Sequence, residues 1–197
     1  MVALALEIYR KENSNMNILA IGAHPDDIEI SCAGTLAKYA SAGHRIGIVV
    51  VTDGATGSSY INPNELVQIR EKEARKSSEL IGADFYWLNF PDGRLEYDVK
   101  TRMVIINTIR LFNPDLIITH NPEDYISDHR ITSKHVIDAG LWAHVGPLIR
   151  DIQPLPIVPQ VVFMDPLNGI NFIPERYIDI TETYEKKKEM LLCHESQ

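Results

Sequence analysis

Between residues 17 and 35 the chain reads NILAIGAHPDDIEISCAGT, and His24-Pro25-Asp26-Asp27 places an imidazole and two carboxylates where an apolar run gives way to a helical pattern. Pro25 fixes its own φ and pushes His24 towards an extended conformation, so the imidazole is expected to end a strand and point into the space beyond it. Asp26 and Asp27 fall at or near the first turn of the following helix, where adjacent side chains project differently and need not share one job. A second polar cluster, Asp124, Asp128 and His129, lies in the stretch NPEDYISDH. One imidazole and one carboxylate from the first cluster, with an imidazole from the second, would suit a catalytic zinc that keeps its fourth position open. The remaining carboxylate would then be free to accept a proton, which is the layout of metal-assisted hydrolysis. Capping alone explains an Asp pair at a helix start, at about 1 kcal/mol. It does not explain the histidine and proline before it.

The surrounding elements must bring these clusters together. Asn17-Ala23, Arg45-Thr52, Ala83-Phe90 and Asp115-Thr119 read as strands, and Ile28-Ala42, Asn64-Ile81 and Val99-Phe112 as the helices between them, with Asp98 as an N-cap. A loop carries NPEDYISDH, a helix runs from about Ile131 to Ala143, and residues 147–159 form a Pro-rich loop. Gln160-Met164 and Tyr177-Ile180 look like two further strands, and Thr183-Cys193 like a closing helix. Successive β-α units predict a Rossmann-like three-layer α/β/α fold with a mostly parallel sheet. If the strands wind in the order 3-2-1-4, strands one and four are neighbours, and both polar loops face the crevice at their carboxyl ends.

Composition narrows the function. A length of 197 residues with 45% apolar content predicts one domain over 17–197 behind an N-terminal extension, 1–16. A formal charge of -8 argues against nucleic acid, and no basic stripe offsets it; Lys186-Lys187-Lys188 lies among glutamates as a solvated helix face. No window approaches the roughly 20 apolar residues of a membrane span. Two cysteines, Cys32 and Cys193, give no disulfide framework and fit a reducing, cytoplasmic compartment. There is no GxGxxG, no GxxxxGK[ST] and no GxSxG. Tyr86, Trp87 and Trp142 read as core, and His44, His135 and His144 as structural.

At this point Ala23-His24-Pro25-Asp26-Asp27-Ile28-Glu29 resembles the AHPDD.E signature of the PIG-L/LmbE-like family of zinc-dependent N-acetylglucosaminyl deacetylases. Thr52-Asp53-Gly54, Arg70 with Glu73 and Leu80-Ile81-Gly82, Phe90-Pro91-Asp92-Gly93-Arg94-Leu95, Asp128-His129 and Cys193-His194-Glu195-Ser196-Gln197 resemble its later motifs in order. The resemblance implies Zn2+ held by His24, Asp27 and His129, Asp26 as general base and then acid, and Asp128 as a group that orients a neighbour. It implies Arg70 reaching the substrate and His194 bordering the pocket, a soluble amino-sugar conjugate as substrate, and a homo-oligomer. One position departs. The family often reads HPDH where this chain reads Ile126-Ser127-Asp128-His129, and Ile126 cannot donate the hydrogen bond of the first histidine to an oxyanion; losing one such donor costs on the order of 3 kcal/mol.

Two other readings remain. A magnesium phosphoesterase using Asp26, Asp27 and Asp124 would leave both histidines idle. A non-catalytic metal- and sugar-binding relative would account for Ile126.

Overall fold

The computed structural model describes residues 15–149, 151–170 and 172–197; most of the expected N-terminal extension, residues 1–14, lies outside them. Five parallel strands form one sheet in the order β3-β2-β1-β4-β5. They are β1 (Asn17–Gly22), β2 (Arg45–Thr52), β3 (Asp84–Phe90), β4 (Leu116–Thr119) and β5 (Gln160–Phe163). The helices are α1 (Asp27–Ser31), α2 (Ala33–Ser41), α3 (Pro63–Glu79), α4 (Val99–Phe112), α5 (Ser127–Trp142) and α6 (Tyr184–Leu191). The expected parallel α/β architecture and its 3-2-1-4 order are present.

The central strands are apolar along nearly their whole length because both faces of the sheet are covered. Leu19 and Ile21 of β1 join Val49 and Val51 of β2 in a core closed by Ile105, Ile109 and Phe112 of α4 and Val136 of α5. Ile18, Ala20, Ile46 and Ile48 point to the other face, where Ile28, Leu36 and Met190 meet them. Gly47 sits where α4 presses closest: a Cβ there would lie 2.6 Å from the Phe112 ring and 2.7 Å from Leu19. Asp98 caps α4 by accepting the Thr101 N–H at 2.7 Å, and Asn113 ends it at φ 56°.

Four expectations need correction. Tyr177-Ile180 forms no strand; β5 is the sheet edge, and the chain instead crosses to α2, where Ile180 packs on Gly34 and the Lys38 ammonium donates to the Asp179 carbonyl. The helix expected over 28–42 breaks at Cys32, whose φ of -137° turns the axis between α1 and α2. The helix after β4 starts at Ser127, four residues early, so Asp128 and His129 lie in its first turn. Trp142, at its far end, is exposed.

Because β1 has β2 on one side and β4 on the other, chain order reverses beside β1. The crevice at the carboxyl ends there is where open α/β sheets bind ligands. Threonine hydroxyls fasten this rim: Thr52 donates to the Ala23 carbonyl at 2.8 Å, and Thr119 to the Ile21 carbonyl at 2.9 Å.

Candidate metal centre

His24 leaves the end of β1, and Asp26 follows at φ 104°, ψ -23°, a left-handed conformation rare outside glycine but tolerated by Asp and Asn. That turn starts α1 abruptly and swings Asp27 back under His24, whose N–H donates to Asp27 Oδ2 at 2.6 Å. From the other side of the crevice, the first turn of α5 supplies His129.

Three donors converge. His24 Nδ1 is 3.2 Å from His129 Nε2 and 3.4 Å from Asp27 Oδ2, and His129 Nε2 is 3.2 Å from Asp27 Oδ1. Zinc binds nitrogen and oxygen at about 2.0–2.1 Å, so ligand atoms of a tetrahedral site stand about 3.3 Å apart. The distance between the two imidazole nitrogens, and that from each of them to its nearer Asp27 oxygen, Oδ2 for His24 and Oδ1 for His129, have that length. Two ring nitrogens face to face are also an arrangement that a cation between them would stabilise. The residues present therefore fit a three-ligand metal site, and this trio is one of three overlapping groups among the described residues that could hold a metal, beside His120 with Asp124 and His129, and His24 with Asp92 and Asp128.

Each imidazole is held from behind. His129 Nδ1 lies 3.0 Å from Asp124 Oδ2, which leaves Nε2 as the inward donor. The far edge of His24, Nε2, lies 3.2 Å from Asp92 Oδ1 and 3.5 Å from Asp128 Oδ2. His120, the first residue after β4, is buried; its Nε2 accepts the Ala23 N–H at 2.9 Å, and its ring stacks on His129 at 3.8 Å.

The charges respond to this crowding. Burial acts to lower the His24 pKa, but the carboxylates of Asp128, Asp27 and Asp92 outweigh it and push it up to about 12. Burial would raise Asp27; the imidazoles of His120, His129 and His24 overcome that and hold its carboxyl well below the usual range. His129 is raised by Asp27 and Asp124 against its burial, whereas burial prevails at His120 and lowers it. Five carboxylates, Asp26, Asp27, Asp92, Asp124 and Asp128, share this centre with three imidazoles and the guanidinium of Arg70. Such an excess of negative charge favours a bound cation.

Asp26 itself is pushed up to about 6, first by burial and then by the charge of Asp27, with Arg70 and His194 pulling the other way. A carboxyl poised there can take and return a proton near neutral pH. Arg70, on α3, is only 3% exposed. It donates to the Gly54 carbonyl at 3.0 Å and the Pro25 carbonyl at 2.7 Å, and stands 3.6 Å from Asp26 Oδ2. It thus lies beneath the His-Pro-Asp-Asp turn, away from open solvent. His194 is equally buried, 3.3 Å from Glu29 Oε1, and neither ring nitrogen has a hydrogen-bond partner. Ser77 donates to the same Glu29 oxygen at 2.5 Å.

Against known families, residues 19–140 match the PIG-L model, described as GlcNAc-PI de-N-acetylase. The chain belongs to the PIG-L family. The protein named uncharacterized deacetylase YaiS of Escherichia coli K12 is 28% identical over 174 residues, covering 87% of this chain and 86% of YaiS. The mycothiol S-conjugate amidase of Streptomyces coelicolor is 30% identical over 148 residues, 59% of this chain and 50% of that protein. Among solved structures, the N,N'-diacetylchitobiose deacetylase of Pyrococcus horikoshii superposes with a TM-score of 0.86 at 26% identity, over 99% of this chain and 75% of that one. The PIG-L membership, the α/β fold and the amide-hydrolase class expected from the sequence are thereby borne out.

The structure brings His24, Asp26, Asp27, Asp128 and His129 into one centre, with Arg70 and His194 packed behind it. Asp92 and His120 were not read as site residues from the sequence. Both sit just past a strand end, as His24 does, and that placement was the available signal.

Proposed function

We propose that this PIG-L protein is a zinc-dependent hydrolase that removes an N-acyl group, first of all N-acetyl, from a soluble glucosamine-containing conjugate. The observation that carries this reading is the triangle of His24 Nδ1, Asp27 and His129 Nε2, with edges of 3.2 to 3.4 Å beside a carboxyl poised near pH 6. Oxygen-preferring magnesium would not select two imidazoles among three donors, which weighs against a phosphoesterase.

His24, Asp27 and His129 would hold the ion, whose chemistry when bound is to lower the pKa of a water and to polarise a carbonyl. The rest belongs to the chain's own groups. Asp26 takes the proton released as water adds to the amide carbonyl, and the protonated carboxyl returns it to the departing amine nitrogen. Arg70 acts through position: its fork to two backbone carbonyls holds the turn that presents Asp26, and its charge keeps that carboxyl from rising further. Asp128 and Asp124 orient His24 and His129, and His194 backs Asp26 from the C-terminal segment. Both cysteines are free and buried, which supports a reducing, cytoplasmic setting. No helix of the described residues is long and apolar enough to cross a membrane, in keeping with a small-molecule substrate.

Acetate release from a panel of N-acetylglucosamine conjugates, by zinc-loaded protein beside Asp26→Asn, tests this. Turnover that is lost in the variant is the expected result. No release by folded, zinc-containing protein would favour a metal- and sugar-binding relative, the reading to which Ile126 points: it stands half-buried at the start of α5 with no side chain capping that helix.

A further inference from the structure

We propose that Asp92, oriented by Thr56, is the positioning residue that turns His24 so that Nδ1 faces the centre. This inference rests on the metal-site reading above. Asp92 lies in the loop after β3, is 7% exposed, and presents Oδ1 to His24 Nε2 at 3.2 Å. Its other oxygen is occupied: Oδ2 accepts the Thr56 N–H at 3.0 Å and the Thr56 hydroxyl at 2.7 Å. The Asp92 N–H donates in turn to Asp53 Oδ1 at 3.1 Å, the atom that also accepts the Ala55 N–H at 3.0 Å. The next residue, Gly93, donates its N–H to Asp128 Oδ2 at 2.8 Å. The loops after β2 and β3 and the first turn of α5 are thus stitched together around the far edge of one β1 imidazole.

The chemistry of that edge fixes the near one. A neutral imidazole carries one N–H, and its other nitrogen offers the lone pair. With an ion at the centre His24 gives up one proton, and the ionised Asp92, which only accepts, keeps the remaining hydrogen on Nε2 and leaves the Nδ1 lone pair facing Asp27 and His129. Carboxylates behind metal-binding histidines act this way and are worth roughly 10–100-fold in metal affinity. Asp128, at 3.5 Å and already accepting from Gly93, is the more distant of the two acceptors.

The double donation from Thr56 makes the inference testable with an isosteric change. In Asp92→Asn the amide oxygen stays with the two Thr56 donors, so its NH2 is directed at His24 Nε2. Two donors then oppose each other, and the favoured tautomer moves the imidazole hydrogen to Nδ1, where it blocks coordination. Zinc affinity, read by chelator competition, should fall about 10–100-fold, while the far-UV circular dichroism of the metal-free protein keeps its parental shape. Adding Thr56→Val removes one of the donors that orient the amide, and should recover part of the affinity.

Parental zinc affinity in Asp92→Asn, or no recovery when Thr56→Val is added, overturns the inference and leaves the metal site standing. A parent protein that binds no zinc overturns the metal-site reading itself, so the two failures are distinguishable.

Discussion

Removing the charge of Asp26 should make the metal-free protein more stable while destroying its turnover. Burial, and then the charge of Asp27, raises this carboxyl from 3.8 to about 6, and its side chain is only 18% exposed. At about 1.36 kcal/mol per unit, holding it ionised costs the folded state roughly 3 kcal/mol. Because the folded pKa lies above the unfolded one, the folded state binds the proton more tightly. The cost is absent below about pH 3.8, grows as pH rises through about 6, and is complete above that. Asn has the same shape and adopts a φ of 104° at least as readily, so Asp26→Asn removes the charge without disturbing the backbone. For a chain of this size the gain corresponds to roughly 6–12 °C in melting temperature at pH 8. The assay is thermal unfolding of EDTA-treated parent and variant from pH 4 to pH 8, with the difference between them read at each pH. It should be near zero at pH 4 and maximal at pH 8, and should shrink when zinc is added, since a nearby cation favours the ionised form. A variant no more stable than its parent at pH 8, or a gain independent of pH, would refute the electrostatic account of Asp26.

Three further outcomes are expected. Asp124→Asn leaves His129 Nδ1 without its carboxylate and should weaken zinc binding roughly 10–100-fold by chelator competition; unchanged affinity would remove Asp124 from the centre. Arg70→Lys keeps the charge but loses the fork to the Gly54 and Pro25 carbonyls. It should cost about 2–3 kcal/mol in denaturant unfolding and shift the acid limb of the pH–rate profile, whereas a parental profile would reject Arg70 as a positioner of Asp26. Gly47→Ala drives a methyl against Phe112 and Leu19 and should destabilise by about 1–3 kcal/mol; a loss under about 0.5 kcal/mol would show that α4 can withdraw freely.

What was legible in the sequence and what was not divides along physical lines. The three inner strands, β2, β1 and β4, announce themselves as short Ile- and Val-rich runs because a doubly covered parallel sheet has no polar face to alternate with. Their order then follows from the winding rule. Tyr177-Ile180 has the right composition for a strand, but pairing requires a neighbour, and nothing in four residues says that the chain turns to α2 instead. The early start of α5 escaped because Ile126 is no capping residue, so the usual boundary signal is missing. In the site, His24, Asp27 and His129 were readable because Pro25, the strand ends and the family motifs mark them. Asp92 and His120 also follow strand ends, and Asp92 lies in a family motif, but their roles did not show, since their partners are set by tertiary approach: Asp92 meets His24 from 68 positions away in the chain, and His120 meets the Ala23 N–H from 97. Arg70 was recognised as a site residue, but its burial behind the turn was not legible, because sequence gives no depth.

The most direct test of the central claim is the stoichiometry and ligand set of zinc in the purified protein, by metal analysis and X-ray absorption. One ion per chain is expected, in a shell of two imidazole nitrogens with oxygen ligands, lost in His129→Ala and kept in Asp26→Asn. An ion that survives His129→Ala, or a shell without imidazole, would contradict it.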